Sequence, residues 1–346
     1  MRIAFNLLNC GLGNNGGSQT IIRMAKELSK LNHDVKILLN QPNKFTWFEI
    51  PEDLLLYEGD ITPEFDVMVA TGCSTVESTL KYDKLPMDKK FYWIRAIEDW
   101  AMPLEKLIEG YKSGLKLIVN SEWQQKYIYF FKNKLPELVY SGVPIKRIQK
   151  EVEVVSENWA IINHSNINVG ALASKKSRKR FEDVIDIAYK LNERKVLNKL
   201  ILISNEGIDK LKKLFDFKKL DNINVEVIVQ PELCDKIRAM RECDVWLSTT
   251  INEGLHIPPL EAGLCGCLLV SRDEYRSGVS DYCIHNETSL NYKNNDEAVE
   301  HIVRFSTMPK RERVSINRNL INIIHNKIGT VKDNAERMLK VMADEI

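Results

Sequence analysis

The stretch EGLHIPPLEAGLCGCLLV, residues 253–270, decides the fold because it joins a short loop, a helix start and a strand. Pro258 and Pro259 suit the first turn of a helix, where their missing amide hydrogens would have no partner. The preceding stretch CDVWLSTTIN, residues 243–252, has the apolar core and the β-branched residues of a buried strand. The sequence therefore predicts strand, loop, helix and strand, which is the repeating unit of a parallel α/β sheet.

The loop at the start of this helix is suited to bind a phosphorylated ligand. Backbone amides at a helix N-terminus, with the partial positive charge of the helix behind them, attract a diphosphate. The carboxylates of Glu253 and Glu261 accept hydrogen bonds, so they would take the hydroxyls of a sugar or a ribose. His256 either touches the phosphate or sugar of the ligand or caps the loop. The amides expected to hold the diphosphate belong to Gly254, Leu255, His256 and Ile257.

The spacing of the two glutamates resembles a known signature. Glu253, seven further residues and Glu261 are similar to the motif of the retaining nucleotide-sugar glycosyltransferases of family four (group 1). The segments KRFEDVI at 179–185 and SDYCIHNETSL at 280–290 also resemble that family. The resemblance implies an α/β chain with the GT-B fold, in which two Rossmann-like doubly wound parallel-sheet domains face an interdomain cleft. It also implies sugar transfer with retention of the anomeric configuration.

Strand-like and helix-like segments alternate along the chain in two series. The second series begins near Asn158. The resemblance implies a first, acceptor-side domain at residues 1–155, to which a crossover helix at 331–346 returns. It implies a second domain at residues 156–330, which holds the nucleotide-sugar donor.

The basic run ASKKSRKRFEDVI, residues 173–185, follows the first strand of the second series. Cations beside a leaving diphosphate stabilise the negative charge that develops on it. The resemblance points to Lys179 for this role, with Arg180 as its neighbour. The arginine that the family places directly after a glycine is missing, because Ala171 follows Gly170. The residues that could replace it are Lys175, Lys176 and Arg178.

The expected first domain carries weaker signals. Its glycine-rich segment GLGNNGGSQ, residues 11–19, predicts a loop, and the resemblance places Gly16 and Gly17 in the cleft. Arg95 stands near the position where many family members have a histidine that contacts the donor sugar. Glu98 and Asp99 are candidate acceptor contacts. In the second domain, topology predicts that the nucleotide base lies near Asn205 and Gln230, with Glu206 and Pro231 beside them.

Composition limits the class of protein. The 346 residues are 44% hydrophobic and 28% charged, and the 49 basic and 48 acidic side chains nearly cancel. Charge therefore argues neither for nor against a nucleic-acid or anionic-membrane partner. No apolar run approaches the ~18–20 residues of a spanning helix, and the N-terminal sequence lacks a signal-peptide layout. We expect a cytoplasmic protein, with peripheral association at the membrane left open.

The spacing of cysteines and of acidic residues disfavours a disulfide framework, a zinc site and a site for a divalent cation. The seven cysteines show no CxxC pair and no zinc-like spacing, so we expect reduced thiols. The chain contains no Asp-x-Asp motif, the short acidic motif that holds a divalent cation in other glycosyltransferases. The sequence therefore predicts a metal-independent reaction and no cofactor apart from the donor substrate.

These observations predict a hexosyl- or pentosyltransferase that uses a nucleoside-diphosphate sugar, most simply a UDP-sugar, and an acceptor hydroxyl. The acceptor could be a glycan, a lipid-linked glycan, a small molecule or a modified nucleobase. Two alternatives stay open: a GT-B enzyme of another type, such as an epimerase or phosphorylase, and a non-catalytic sugar-nucleotide binding module. A two-domain dehydrogenase fits less well, because the GxGxxG order is only approximate and no acidic residue ends the second strand.

Overall fold

The computed structural model describes residues 1–61, 64–153 and 166–344. The chain forms two compact units, Met1–Gly142 with Gly329–Ile346, and Val143–Ile328. The expected boundary between residues 155 and 156 lies outside the described residues, as does Asn158. The units divide earlier, after Gly142, because the helix at Ile145–Glu153 packs on helices of the second unit and belongs to it.

The described residues contain 13 strands and 12 α-helices. The strands are β1 (Arg2–Asn6), β2 (Asp34–Leu39), β3 (Leu55–Tyr57), β4 (Val67–Ala70), β5 (Lys90–Ile94), β6 (Lys116–Val119), β7 (Glu137–Leu138), β8 (Ile167–Ala173), β9 (Leu197–Ser204), β10 (Val225–Val229), β11 (Val245–Ser248), β12 (Leu268–Arg272) and β13 (Leu290–Tyr292). The helices are α1 (Gly16–Lys30), α2 (Val76–Lys81), α3 (Leu104–Lys112), α4 (Glu122–Lys132), α5 (Ile145–Glu153), α6 (Phe181–Glu193), α7 (Ile208–Leu214), α8 (Leu233–Arg241), α9 (Ile257–Leu264), α10 (Asn295–Thr307), α11 (Lys310–Ile323) and α12 (Val331–Met342).

The first unit is built on a seven-stranded sheet in the order β3-β2-β1-β4-β5-β6-β7, and its strands pair in parallel. Central strands such as β4 and β5 are buried along their whole length, as expected for a sheet covered by helices on both faces. The strand order reverses between β1 and β4. The loops that follow these two strands therefore lie at a switch point, where open α/β sheets bind ligands.

The second unit is built on a six-stranded parallel sheet in the order β10-β9-β8-β11-β12-β13. Its order reverses between β8 and β11. The basic run follows β8 and the loop with Glu253 follows β11, so both lie at the same end of neighbouring strands. The topology therefore brings the two strongest sequence signals together. The two parallel-sheet units confirm the expected fold class.

Helix α12 belongs to the first unit and packs on α1. Its residues Ala335, Met338, Val341 and Met342 are buried in the core that α1 shares with the sheet. Thr330 caps the helix, since its hydroxyl oxygen accepts from the amide of Asp333 at 3.1 Å. Helix α12 therefore completes the hydrophobic core that α1 and the first sheet form.

The glycine-rich segment differs from expectation. Helix α1 begins at Gly16, so the prediction that residues 11–19 form a loop is wrong for its last four residues. The reason is the side chain of Asn15, whose Oδ1 accepts from the amide of Ser18 at 2.9 Å and caps the helix. Gly16 and Gly17 thus form the first turn of a helix.

Among the described residues, every helix is too short or too polar to span a membrane. The seven cysteines are free thiols, and Cys243, Cys265, Cys267 and Cys283 are buried.

Candidate functional site

Two cations and one carboxylate meet at the switch point of the second sheet. Lys179 Nζ lies 2.8 Å from Glu253 Oε1, and Arg178 Nε donates to the same oxygen at 3.0 Å. The three side chains are only 15–22% exposed. The Thr249 hydroxyl donates to the Lys179 carbonyl at 2.8 Å, and the Ile251 amide donates to the Arg178 carbonyl at 2.9 Å. Hydrogen bonds between the segment that carries the two cations and the segment that leads to Glu253 therefore hold the cluster in place.

The cations keep Glu253 ionised. Burial alone would raise the pKa of its carboxyl, but Lys179 and then Arg178 outweigh burial and lower this pKa to about 2. At neutral pH Glu253 is a hydrogen-bond acceptor with no proton to donate. With both cations charged, the cluster carries a net charge of about +1. Its net positive charge is thus suited to attract an anion, and its ionised carboxylate can accept hydrogen bonds from hydroxyls.

His256 occupies the N-cap position of α9 in the left-handed backbone region, with φ 57°. Its ring lies between two hydroxyls, with Nδ1 3.3 Å from Ser248 Oγ and Nε2 3.4 Å from Thr250 Oγ1. Burial, and next the charge of Lys179, lower the pKa of its imidazole to about 3, so the ring is neutral at physiological pH. The ring makes no capping hydrogen bond. The ring therefore contacts hydroxyls of the loop and does not cap the helix, and its contact with a donor phosphate or sugar stays a prediction.

The turn before α9 keeps donors available. Among the hydrogen bonds of the described residues, none is donated by the backbone amides of Leu255 or His256. Ile257 is the first residue of α9, where helical amides have no partner within the helix. Gly254 and Leu255 are buried, which places the turn inside the unit's surface and not on an exposed loop.

A second segment, residues 278–282, contacts this turn, and only its part from Ser280 onward lies in the stretch that resembles the family. The Gly278 amide donates to the Glu253 carbonyl at 3.0 Å, and the Tyr282 hydroxyl donates to the His256 carbonyl at 2.8 Å. A Cβ atom at Gly278 would lie only 1.8 Å from the Gly254 carbonyl oxygen. The turn and residues 278–282 are therefore in backbone contact. The signal for this contact in the sequence is a lone glycine inside SGVSDY.

Glu261, the second glutamate of the signature, is 1% exposed. Lys236 on α8 forms an ion pair with Glu261 Oε2, yet neither carboxylate oxygen has a hydrogen bond of regular geometry among the described residues. A buried carboxylate without such bonds has a strong demand for donors. Lys236 was not among the predicted residues, because its segment carries no motif.

The remaining candidates of the second unit are Arg180, Lys175, and the pair Asn205 and Gln230. Arg180 forms an ion pair with Asp183, at 2.5 Å from Nε to Oδ2, and does not join Arg178 and Lys179 on Glu253. Lys175 is exposed. Asn205 and Gln230 lie together, since Gln230 Nε2 donates to the Asn205 carbonyl at 3.1 Å. The structure thus unites the two loops expected near the base, but it directs Arg180 elsewhere.

In the first unit, Arg95 links three segments at the switch point. Its two terminal nitrogens donate to the carbonyls of Gly17 and Thr71, each at 2.5 Å. The guanidinium thus connects the ends of β4 and β5 with the first turn of α1. Nearby, Glu98 Oε2 accepts from the Cys73 amide at 2.6 Å. Arg95 is therefore bound to backbone carbonyls, and its expected contact with a sugar stays a prediction.

Across residues 1–61, 64–153 and 166–344, no group of three or more His, Cys, Asp or Glu side chains is placed to hold a metal ion.

Most of the second unit matches a known protein family. Residues 160–320 match the family described as glycosyl transferases group 1, and this range includes both Lys179 and Glu253. The matched residues make up most of the second unit, which is therefore similar to group 1 glycosyl transferases. The protein is therefore a glycosyltransferase, as the spacing of the two glutamates predicted. No curated protein matches the chain.

Solved structures similar to this glycosyltransferase cover nearly the whole chain. The complex of Anabaena Alr3699/HepE with UDP and glucose is 14% identical, with a TM-score of 0.77 over 99% of this chain and 100% of that one. Sucrose-phosphate synthase from Thermosynechococcus elongatus is 11% identical, with a TM-score of 0.76 over 100% and 99%. WaaG, a glycosyltransferase involved in lipopolysaccharide biosynthesis, is 14% identical, with a TM-score of 0.66 over 98% and 99%. At such identities the likeness shows the fold, which is GT-B.

Proposed function

We propose that this glycosyltransferase moves a sugar from a UDP-sugar to an acceptor hydroxyl, with retention of the anomeric configuration and without a metal ion. The observation that carries the proposal is the pair of cations, Lys179 and Arg178, on Glu253 beside the N-terminus of α9. Proteins of the same fold are described in complex with UDP and with UDP-glucose, which favours a uridine nucleotide.

The cations act on the leaving group. When the bond between the anomeric carbon and the phosphate oxygen breaks, its electron pair stays on that oxygen, and the diphosphate gains negative charge. Lys179 and Arg178 stabilise this charge, together with the amides of Leu255 and His256 at the positive end of α9. In a half-buried site these interactions are stronger than in water. This is the task that a divalent cation performs in other glycosyltransferases.

The two glutamates bind hydroxyls in this proposal. Glu253, ionised at neutral pH, accepts from hydroxyls of the donor sugar while it holds the cations in place. Glu261 accepts from the ribose hydroxyls, which satisfies its buried oxygens better than Lys236 does alone. Asn205 and Gln230 lie near the base, and Arg95 acts by positioning Gly17 at the first turn of α1.

Retention follows from the face of the sugar on which the acceptor attacks. The acceptor oxygen attacks the anomeric carbon on the face from which UDP departs, and its proton passes to the departing phosphate oxygen. No side-chain base is needed. The pKa values favour this route, since Glu253 at about 2 and His256 at about 3 are both poor bases at neutral pH.

Product analysis tests the proposal. The protein is incubated with a panel of UDP-, GDP-, ADP- and dTDP-sugars and a mixture of alcohol and glycan acceptors, with and without EDTA. We expect release of UDP, insensitivity to EDTA and an unchanged anomeric configuration by NMR. Nucleotide binding without turnover of any acceptor would favour the binding module. An interconverted sugar nucleotide, or a product that requires inorganic phosphate, would favour an epimerase or a phosphorylase.

A further inference from the structure

Helix α4 of the first unit exposes an apolar face where a surface helix usually has polar residues. Tyr129 is 45% exposed, Phe130 is 84% exposed, and Leu135 just beyond the helix is 56% exposed. Lys126, Asn133 and Lys134 are exposed as well. Lys126, Tyr129 and Phe130 lie on one face of α4 by helical spacing, and Asn133, Lys134 and Leu135 follow directly after the helix, which ends at Lys132. We call these six residues the α4 stripe.

The packing of the helix fixes the direction of this stripe. The opposite face of α4 is buried through Trp123, Gln124 and Ile128. Lys132 donates to the Leu115 carbonyl at 2.9 Å, and Gln125 donates to the Pro136 carbonyl at 2.8 Å. These contacts hold the helix and the segment after it on the unit. The aromatic rings of the stripe therefore cannot turn inward without breaking the core.

The charge of the stripe has one sign. Lys126 lies near one end of the aromatic pair and Lys134 near the other, and no Asp or Glu occurs between residues 123 and 136. The nearest acids along the chain, Glu122 and Glu137, are half-buried. An exposed tyrosine and phenylalanine flanked by lysines complement the interface of an anionic bilayer. In that interface, rings lie at the headgroup level and ammonium groups reach the phosphates.

We infer that the α4 stripe docks the first unit on a membrane surface that carries anionic lipid headgroups. Phe130, Tyr129 and Leu135 enter the boundary between headgroups and acyl chains, while Lys126 and Lys134 pair with lipid phosphates. The helix lies on the bilayer and does not cross it. The inference goes beyond the proposed function, since it concerns where the enzyme works and not which donor it uses.

Vesicle sedimentation tests the inference. The full-length protein is mixed with phosphatidylcholine vesicles, with or without phosphatidylglycerol, and the bound fraction is measured. We expect binding to the anionic vesicles only. The double variant Tyr129→Ser and Phe130→Ser should weaken binding at least about tenfold, because it removes the two rings that are buried in the bilayer when the protein binds. The double variant Lys126→Glu and Lys134→Glu should weaken it by about a hundredfold.

The matched control is Tyr275→Ser in the second unit. Tyr275 is 75% exposed and lies beside Arg276, so it tests whether any exposed aromatic residue beside a cation has the same effect. The control should bind like the wild type. Equal binding of the wild type to both vesicle types, no binding to either, or unchanged binding of the double variants would overturn the inference. A dimer of the wild type that the aromatic variant abolishes would also overturn it, by showing that the stripe is a protein interface.

Discussion

At the scale of single residues, the central feature is Glu253, a carboxylate that two cations share. Such a carboxylate repels the diphosphate that the same cations would bind. The glutamate therefore limits the affinity for nucleotide while it orients Lys179 and Arg178. A substitution that removes the charge of Glu253 and keeps its shape would separate its contribution to sugar transfer from its effect on nucleotide binding.

We predict that Glu253→Gln tightens UDP binding and slows sugar transfer by about tenfold or more. The cations lose their internal partner, which favours the diphosphate, whereas a neutral amide accepts sugar hydroxyls less strongly. Calorimetry with UDP and turnover rates measure the two effects. Glu193→Gln, at an exposed position of α6, is the control and should change neither. Weaker UDP binding by Glu253→Gln would contradict the assignment.

His256 makes stability depend on pH. Its folded-state pKa of about 3 lies below the usual value near 6.5, so below pH 6.5 the unfolded chain binds a proton that the folded chain does not. Stability should therefore fall as the pH decreases from about 6.5 towards 3, and His256 should have no such effect above 6.5. Melting temperatures of the wild type and His256→Gln measure this effect. The difference in melting temperature between the wild type and His256→Gln should narrow as the pH falls. A difference that stays constant with pH would refute the prediction.

The sequence predicted part of this site. The resemblance of the two-glutamate motif pointed to Glu253 and Glu261, and that of KRFEDVI pointed to Lys179; the structure brings Lys179 and Glu253 into contact. The sequence could not choose between Arg178 and Arg180, because a backbone rotation within a short turn decides which one faces Glu253. Arg180 has φ 47° and pairs with Asp183, which follows it by three residues. Sequence spacing alone does not show such a rotation.

At the scale of elements, the turn before α9 depends on the segment that begins at Gly278. Two hydrogen bonds join them, one from the Gly278 amide and one from the Tyr282 hydroxyl. The left-handed conformation of His256 is unfavourable for a residue with a side chain. The bond to the His256 carbonyl therefore helps to hold a conformation that the turn would not adopt alone.

We predict that Tyr282→Phe lowers stability by about 1–2 kcal/mol and also weakens UDP binding. The lost hydroxyl leaves the His256 carbonyl without this donor, so the turn relaxes. Tyr292→Phe is a matched control, because Tyr292 is also fully buried and its hydroxyl donates to the Ser248 carbonyl at 3.1 Å. Both variants should melt earlier, but only Tyr282→Phe should lose affinity in calorimetry. Equal loss of affinity in both would show a general effect of destabilisation.

The sequence predicted long elements better than short ones. Central strands such as β8 and β11 were evident from their apolar runs. The short edge strands β3 and β7 were not identified, because two or three residues carry no periodic pattern. The start of α1 was placed too late because glycines disfavour a helix, whereas the Asn15 cap and the buried face of α1 favour one.

At the scale of the whole molecule, the last helix is part of the first unit although it follows the second in the chain. We predict that a chain ending at Ile328 loses the fold of the first unit, because removal of α12 exposes the apolar face of α1 to water. Limited proteolysis should digest the first unit and leave a fragment close to 143–328. A chain ending at Met342 keeps α12 and is the control. Resistance of both units in the shorter chain would contradict the prediction.

The expected division into two domains was argued from alternating segments, which locate elements but not the end of a unit. Helix α5 is amphipathic and could have packed on either sheet by pattern alone. Its contacts with α8 and α9 decide that it belongs to the second unit. Tertiary packing, which sequence periodicity does not report, therefore sets this boundary.

The second unit is a continuous insertion within the first, since the chain leaves at Gly142 and returns at Gly329. At this crossing a methyl group on Gly142 would lie 2.6 Å from backbone atoms of Thr330 and Val331. The corresponding units of enzymes with the same fold could therefore replace the second unit between these two points. Such chimaeras would have to retain Gly142, and tags fused to either terminus would leave the exchanged unit undisturbed.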